Sequence, residues 1–341
     1  MRTKACYFLL LGIALLIAGA LLWPQVRQPA STHHSTRGAV SGPAAAQQAT
    51  ATTSNQIALA APSAGAFVSD AIRPILGLSH ESPAVRWAAV RALGTRLSQG
   101  ERAALYDYLR GHELDPSGPM RGVIKNDVIL ALKSQEPAPG ELPGVLLSMF
   151  YDQAQDPVIR NYALQHLGTW YERVAEKTQV LDALWAGTAD IDASIQGTAL
   201  IGLGRLAQGK AASQPRPAGA AGSQPDSPNL GAVPDTARLT MVASTLATDS
   251  AANDVARLTA LQVCAELGIK DVLPAAASLA EGAASTPLRM SAVAAVGALG
   301  GPDQASLLNR LLTAPDTRIQ TTARAALRRL ETRRNGQPSR L

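Results

Sequence analysis

The chain has 341 residues, 46% of them hydrophobic but only 4% aromatic, with alanine heavily used. That is more length than one small core requires, and alanine and leucine with few aromatic or β-branched runs predict an all-α protein of closely packed helices. The net charge of +5 sits at the ends: residues 1–64 hold four Lys/Arg and no acid, residues 316–341 hold seven Arg against Asp316 and Glu331, and residues 65–315 hold 20 bases against 24 acids. A body with net charge −4 lacks the basic face of a nucleic-acid binder, and two cysteines, Cys6 and Cys264, make no disulfide framework.

In chain order, residues 1–4 (MRTK) form a short basic leader ahead of an uncharged run of nineteen residues, Ala5 to Trp23, closed by Pro24. A helix of that length spans roughly 28 Å, close to a hydrocarbon core of about 30 Å. Arg2 and Lys4 on one side predict a cytoplasmic N-terminus and a body outside the cytoplasm, periplasmic in a Gram-negative cell. The small-x-small triplet Ala18–Ala20 supplies the other reading, a signal cleaved near Ala20 and a secreted body. The apolar Leu-Leu-Trp that follows continues the spanning length and favours the anchor. Residues 24–65, rich in Ala, Ser, Thr, Gln and Pro, carry too little apolar pattern to fold and are expected to be a disordered linker. The pair His33-His34 within it has no further ligands at metal spacing.

From residue 66 to 333 one pattern recurs. The stretch DPVIRNYALQHLG, Asp156 to Gly168, is matched by SPAVRWAAVRALG from Ser82, DASIQGTALIGLG from Asp192 and NDVARLTALQVCAELG from Asn253. TPLRMSAVAAVGALG from Thr286, DTRIQTTARAALRRL from Asp316 and a degenerate copy from Gly122 complete the series. The equivalents of Arg160 are Arg86, Lys125, Gln196, Arg257, Arg289 and Gln320, at gaps of 39, 35, 36, 61, 32 and 31 residues. The long gap contains a Gly/Pro/Ser/Ala stretch, 207–235, that reads as a disordered insertion. A second amphipathic segment precedes most copies, as from Ser98, Gly140, Thr178, Lys270 and Pro302, and Ser98 with Glu101 has the form of a capping box. Each unit is therefore two helices joined by a tight turn.

The Asp/Ser-Pro-x-x-Arg opening, the Ala three residues after that Arg and the Leu-Gly ending resemble the HEAT-repeat superfamily, in particular its short bacterial, bilin-lyase-like form. The resemblance implies an α-solenoid of about seven repeats and, in such repeats, pairing of the recurrent Arg with a turn Asp of a neighbour. Within one copy, Asp156 is expected as N-cap, Pro157 as the first helical residue, and Ile159, Ala163, Leu164 and Leu167 as the buried face. Gly168 is expected as a left-handed helix end. Arg160, because it recurs, reads as structural rather than catalytic. His166 has no counterpart in the other copies and reads as a core or boundary residue.

Nothing in the sequence has the form of a phosphate loop, a metal-spaced cluster or a nucleophile elbow, so no cofactor, small-molecule substrate or enzymatic activity is expected. The pairs His80-Glu81 and His112-Glu113 read as solvated turns. The aromatic residues after the anchor all lie between Phe67 and Trp185. Since Tyr and Trp dominate protein-binding hot spots, Tyr106, Tyr108, Tyr151, Trp170 and Tyr171 are the candidate partner-binding residues. The last helix presents arginines, which suits a solvated terminal repeat or an anionic surface, and residues 334–341 are expected to be a disordered basic tail. The sequence thus reads as a membrane-tethered, extracytoplasmic scaffold for a protein partner. The alternative is a ligand-binding or lyase-like enzyme with a concave-face pocket. It requires a buried cluster of titratable side chains drawn from different repeats.

Overall fold

The computed structural model describes residues 69–77, 81–111, 118–209, 233–282 and 284–336. The expected leader, spanning segment and linker lie outside them, as do most of the insertion and residues 337–341. Among the described residues no helix is long and apolar enough to cross a membrane.

The described chain is helical throughout. In order, the helices are α1 (Pro83–Arg91), α2 (Gln99–Arg110), α3 (Arg121–Lys133), α4 (Leu142–Tyr151), α5 (Pro157–Trp170), α6 (Lys177–Gly187) and α7 (Ala193–Ala207). After the insertion come α8 (Thr236–Thr248), α9 (Asp254–Leu267), α10 (Leu273–Glu281), α11 (Thr286–Leu299), α12 (Ala305–Leu311) and α13 (Thr317–Gly336). The last runs three residues past the expected boundary at residue 333. A turn segment, 69–77, stands in place of a first helix ahead of α1. Seven units follow, in which α1, α3, α5, α7, α9, α11 and α13 are the second helices.

The helix starts follow from local chemistry. Ser82, Asp156, Asp192, Asp235 and Asn253 cap second or first helices through their side-chain oxygens, as when Asp156 Oδ1 accepts from Val158 N at 2.8 Å. The Ser98–Glu101 box is closed in both directions. The recurrent alanines are packing sites: Ala163, Ala199, Ala260, Ala292 and Ala323 are fully buried.

Gly168 departs from expectation. It is no helix end, since α5 continues through Trp170. A Cβ added there would lie 3.8 Å from the Cα of Gly202 on α7, so its bareness permits a close helix crossing instead. The left-handed end is found at Gly268, φ +74°, after α9.

In six of the seven units the recurrent cationic or amide residue ties its helix to the segment before it; in the fifth, Arg257 lies 3.8 Å from Asp254 of its own helix. Arg86 donates to the carbonyls of Pro74 (3.1 Å) and Ile75 (2.7 Å), Lys125 to Leu109 (2.7 Å) and Gly111 (2.8 Å), and Arg160 to Phe150 (2.9 Å). Gln196 donates to Asp190 (2.7 Å), Arg289 to Ala280 (3.2 Å) and Gln320 to Ala314 (2.8 Å). These carbonyls lie at the end of the preceding segment, so the residue closes the turn from the other side. Only at Arg160, among the described copies, does the implied pairing with a neighbour's turn Asp occur: its guanidinium meets Asp190 at 2.5 Å.

From α5 onward the second helices of successive units pack closely on one another, whereas the first helices touch more sparsely. From α5 onward the second helices thus form the more closely packed layer.

Candidate partner-binding face on the first three repeats

The contacts between second helices obey a fixed register. Eight places after the recurrent residue, the side chain meets the next second helix: Gly168 meets Gly202, Gly204 meets Val263 and Gly297 meets Ala326. One place after it, Gly197 meets Thr259 in the same way. In the later repeats Gly197, Gly204 and Gly297 at these positions let the helices close on each other. In the first three, Trp87 and Asn126 at the first position and Lys133 at the later one carry a hydrogen-bonded row between the helices.

In α1 the first position is Trp87, whose indole N–H donates to Asp127 Oδ2 on α3 at 2.6 Å, with Arg91 stacked over the ring at 5.0 Å. In α3 it is Asn126, which donates to Asp127 Oδ1 at 3.2 Å and accepts at 3.0 Å from His166 Nε2 on α5. The later position in α3 is Lys133, which donates to His166 Nδ1 at 3.3 Å and to Thr169 Oγ1 at 3.1 Å. The Asn126 amide assigns the tautomer, because its nitrogen is spent on Asp127 and its oxygen must receive the Nε2 proton. His166 is then neutral, and burial, followed by the Lys133 charge, holds its pKa down to about 3. Burial, followed by the charge of Arg173, pushes Lys133 down to about 8. Tyr162, half-buried on α5, sits within the field of Asp127, which together with burial raises its hydroxyl pKa. Leu130, 47% exposed, stands on α3 between the two ends of the row.

The five residues chosen from the sequence do not form this face. Tyr106, Trp170 and Tyr171 are 7%, 6% and 4% exposed and belong to the core, so they cannot be surface anchors. Tyr108 is half-buried beneath two structural cations, Arg86 and Lys125, each 5.7 Å from its ring. Tyr151 is 49% exposed but stands at the end of α4 in the other helix layer. The residues that do form the face are Trp87, Asn126, Leu130, Lys133, Tyr162 and His166; the repeat alignment marks Lys133, whose sister positions are mostly Gly or Ala.

A titratable cluster drawn from two repeats is therefore present, as the enzyme alternative required. Its geometry is structural. Both His166 nitrogens are engaged, and Asn126 between His166 and Asp127 offers no path for a proton. Among the described residues no group of three His, Cys, Asp or Glu could hold a metal ion. His33, His34, His80, His112 and Glu113 lie outside them. Cys264 is buried, with its thiol pushed up to about 12 by burial.

The neutral histidine makes stability pH-dependent. The unfolded imidazole takes up a proton near 6.5 and the folded one only near 3, so between these values the unfolded chain binds more protons. The contribution is full above about 6.5 and is lost as pH falls toward about 3. His166→Gln should flatten the stability–pH profile in this window by up to about 1.4 kcal/mol per pH unit. Denaturant midpoints of parent and variant across the range give the difference; parallel profiles would show that His166 is protonated in the folded chain.

Residues 244–328 match the family model for HEAT repeats. The match covers α9 to α12 and parts of α8 and α13. No curated protein sequence matches the chain. Among solved structures, an engineered protein is 15% identical over 78% of this chain and 98% of its own, with a TM-score of 0.38. Human deoxyhypusine hydroxylase in complex with glycerol is 17% identical over 77% of this chain and 97% of its own, with a TM-score of 0.29. Both likenesses are too loose to bear on fold or chemistry. Before residue 244 the chain continues the same pattern of helix pairs and turn closures.

Proposed function

We propose that the chain is a scaffold that binds a protein partner along the second-helix layer of its first three HEAT repeats. The observation that carries the reading is the row from Arg91 and Trp87 through Leu130 to Lys133 and Arg173. It combines an arginine-stacked indole, an exposed leucine and unneutralised charge on a pre-ordered surface. Aromatic and arginine side chains on rigid elements are what protein interfaces concentrate. At the later position of that register the following repeats hold Gly204, Ala265 and Gly297, and they serve as framework. The N-terminal apolar run and linker extend the proposal: the scaffold is tethered to a membrane with its repeats outside the cytoplasm.

Leu130→Glu combined with Tyr162→Ala should abolish co-purification of the partner from crosslinked cells while leaving the helical circular dichroism unchanged. Met241→Glu, at a 62% exposed site on a first helix, should not affect it. Equal capture by all three proteins would contradict the reading. A reporter fused after residue 341 that is active only in the cytoplasm would contradict the topology.

A further inference from the structure

Lys133 is out of place for a packing residue. The same register holds Gly94, Gly168, Gly204, Ala265 and Gly297 in other repeats, and Arg328 in the last, where no helix follows. Two of the recurrent cations are tied down by backbone or carboxylate oxygens. Arg160 has Asp190, and Lys125 has two carbonyls. The Lys133 ammonium has three N–H groups and spends two on neutral acceptors, His166 Nδ1 and Thr169 Oγ1. His166 cannot supply charge, since its other nitrogen is fixed by Asn126. Trp170 walls one side, its ring 5.6 Å from Nζ. Arg173, on the exposed turn that follows α5, adds a second positive charge near enough to repel Lys133. Among the described residues no carboxylate pairs with either side chain. Two cations, one of them half-buried and held in a fixed direction by two acceptors, thus stand near each other without a carboxylate.

We propose that Lys133, with Thr169 and Arg173 beside it, receives a carboxylate of the bound partner, an Asp or Glu side chain of a peptide lying on the second-helix layer. This rests on the binding face proposed above and names the chemistry it selects. A carboxylate matches the remaining ammonium N–H and the Arg173 guanidinium, both charge-assisted donors. It also relieves the repulsion between them. Asp127, which accepts only from the neutral groups Trp87 and Asn126 among the described hydrogen bonds, gives the row an opposite pole. An acidic residue at the Lys133 end therefore sets the direction in which the peptide lies.

Trace acetylation of the full chain across pH, read by mass spectrometry at each lysine, follows the Lys133 amine directly. The probe is a blocked tetraglutamate peptide, with its tetraglutamine analogue and inorganic phosphate at equal ionic strength as the other arms. The glutamate peptide should raise the Lys133 midpoint by about one unit, slowing its acetylation near pH 8 about fivefold, with Lys177 and Lys270 unaffected. Arg173→Gln should remove most of that protection without altering the helical signal. Equal protection by tetraglutamine, or protection by phosphate as strong as by tetraglutamate, would overturn the assignment to a peptide carboxylate. So would no protection at all. If protection fails while the Leu130 and Tyr162 substitutions still abolish capture, the face stands and only its acidic specificity falls.

Discussion

Replacing Asp190 by alanine is expected to destabilise the third and fourth repeats by about 3–5 kcal/mol. The Arg160 and Asp190 side chains are 4% and 7% exposed and meet at 2.5 Å, with a second contact at 3.4 Å. Removing the carboxylate leaves a guanidinium out of water with the Phe150 carbonyl as its remaining recorded acceptor. The loss comes from that stranded charge rather than from the intrinsic strength of the pair, because desolvation offsets most of the attraction between buried ions. The double variant Arg160→Met with Asp190→Leu should therefore be more stable than Asp190→Ala alone. Denaturant unfolding followed by the fluorescence of Trp170 and Trp185, which lie between the two residues in sequence, reads both. A loss below about 1 kcal/mol for Asp190→Ala would mean that the pair behaves as a solvated one.

The second large effect belongs to the last junction. A Cβ placed on Gly297 would lie 2.6 Å from the Cα of Ala326 and 3.3 Å from its carbonyl carbon. Backbone cannot rotate aside, so Gly297→Val forces α11 and α13 apart and should cost about 3 kcal/mol. Contacts in a repeat stack run only between neighbours, so the loss should appear locally, as faster hydrogen exchange throughout α13 with α5 and α7 unchanged. Gly204→Ala provides the contrast. Its Cβ would meet a flexible methyl of Val263 at 3.4 Å. The gain in helix propensity, about 1 kcal/mol, should then roughly offset any crowding. If Gly297→Val leaves exchange in α13 unaltered, the close crossing does not hold the terminal repeat.

What was legible in the sequence was whatever depends on neighbours in the chain. Asp156, Pro157 and the Ser98–Glu101 box act within one turn, and they start helices where their spacing predicts. The recurrence of Arg160 separated scaffold from chemistry before any contact was known. Gly168 shows where this stops. A glycine after leucine suits a helix end and a bare helix face equally well, and the choice depends on Gly202, in the next repeat. That misreading carried Trp170 and Tyr171 with it. Beyond a helix end they would stand in a surface turn, but the helix continues and buries both. The binding face was hidden for a related reason. Trp87, Asn126, Lys133 and His166 have ordinary neighbours in sequence, and their relation appears only when helices some 30 to 40 residues apart are set in register. Lys133 among the Gly and Ala of its sister positions was the one visible mark.

The central claim, that the partner lies on the second-helix layer of the first three repeats, is tested most directly by site-specific photo-crosslinking in intact cells. A photoreactive residue is placed in the full chain at Leu130 or, on a first helix, at Met241. The account predicts one discrete protein adduct from position 130, lost when Lys133→Gln is added, and none from position 241. An adduct from position 241 with none from position 130 would contradict it.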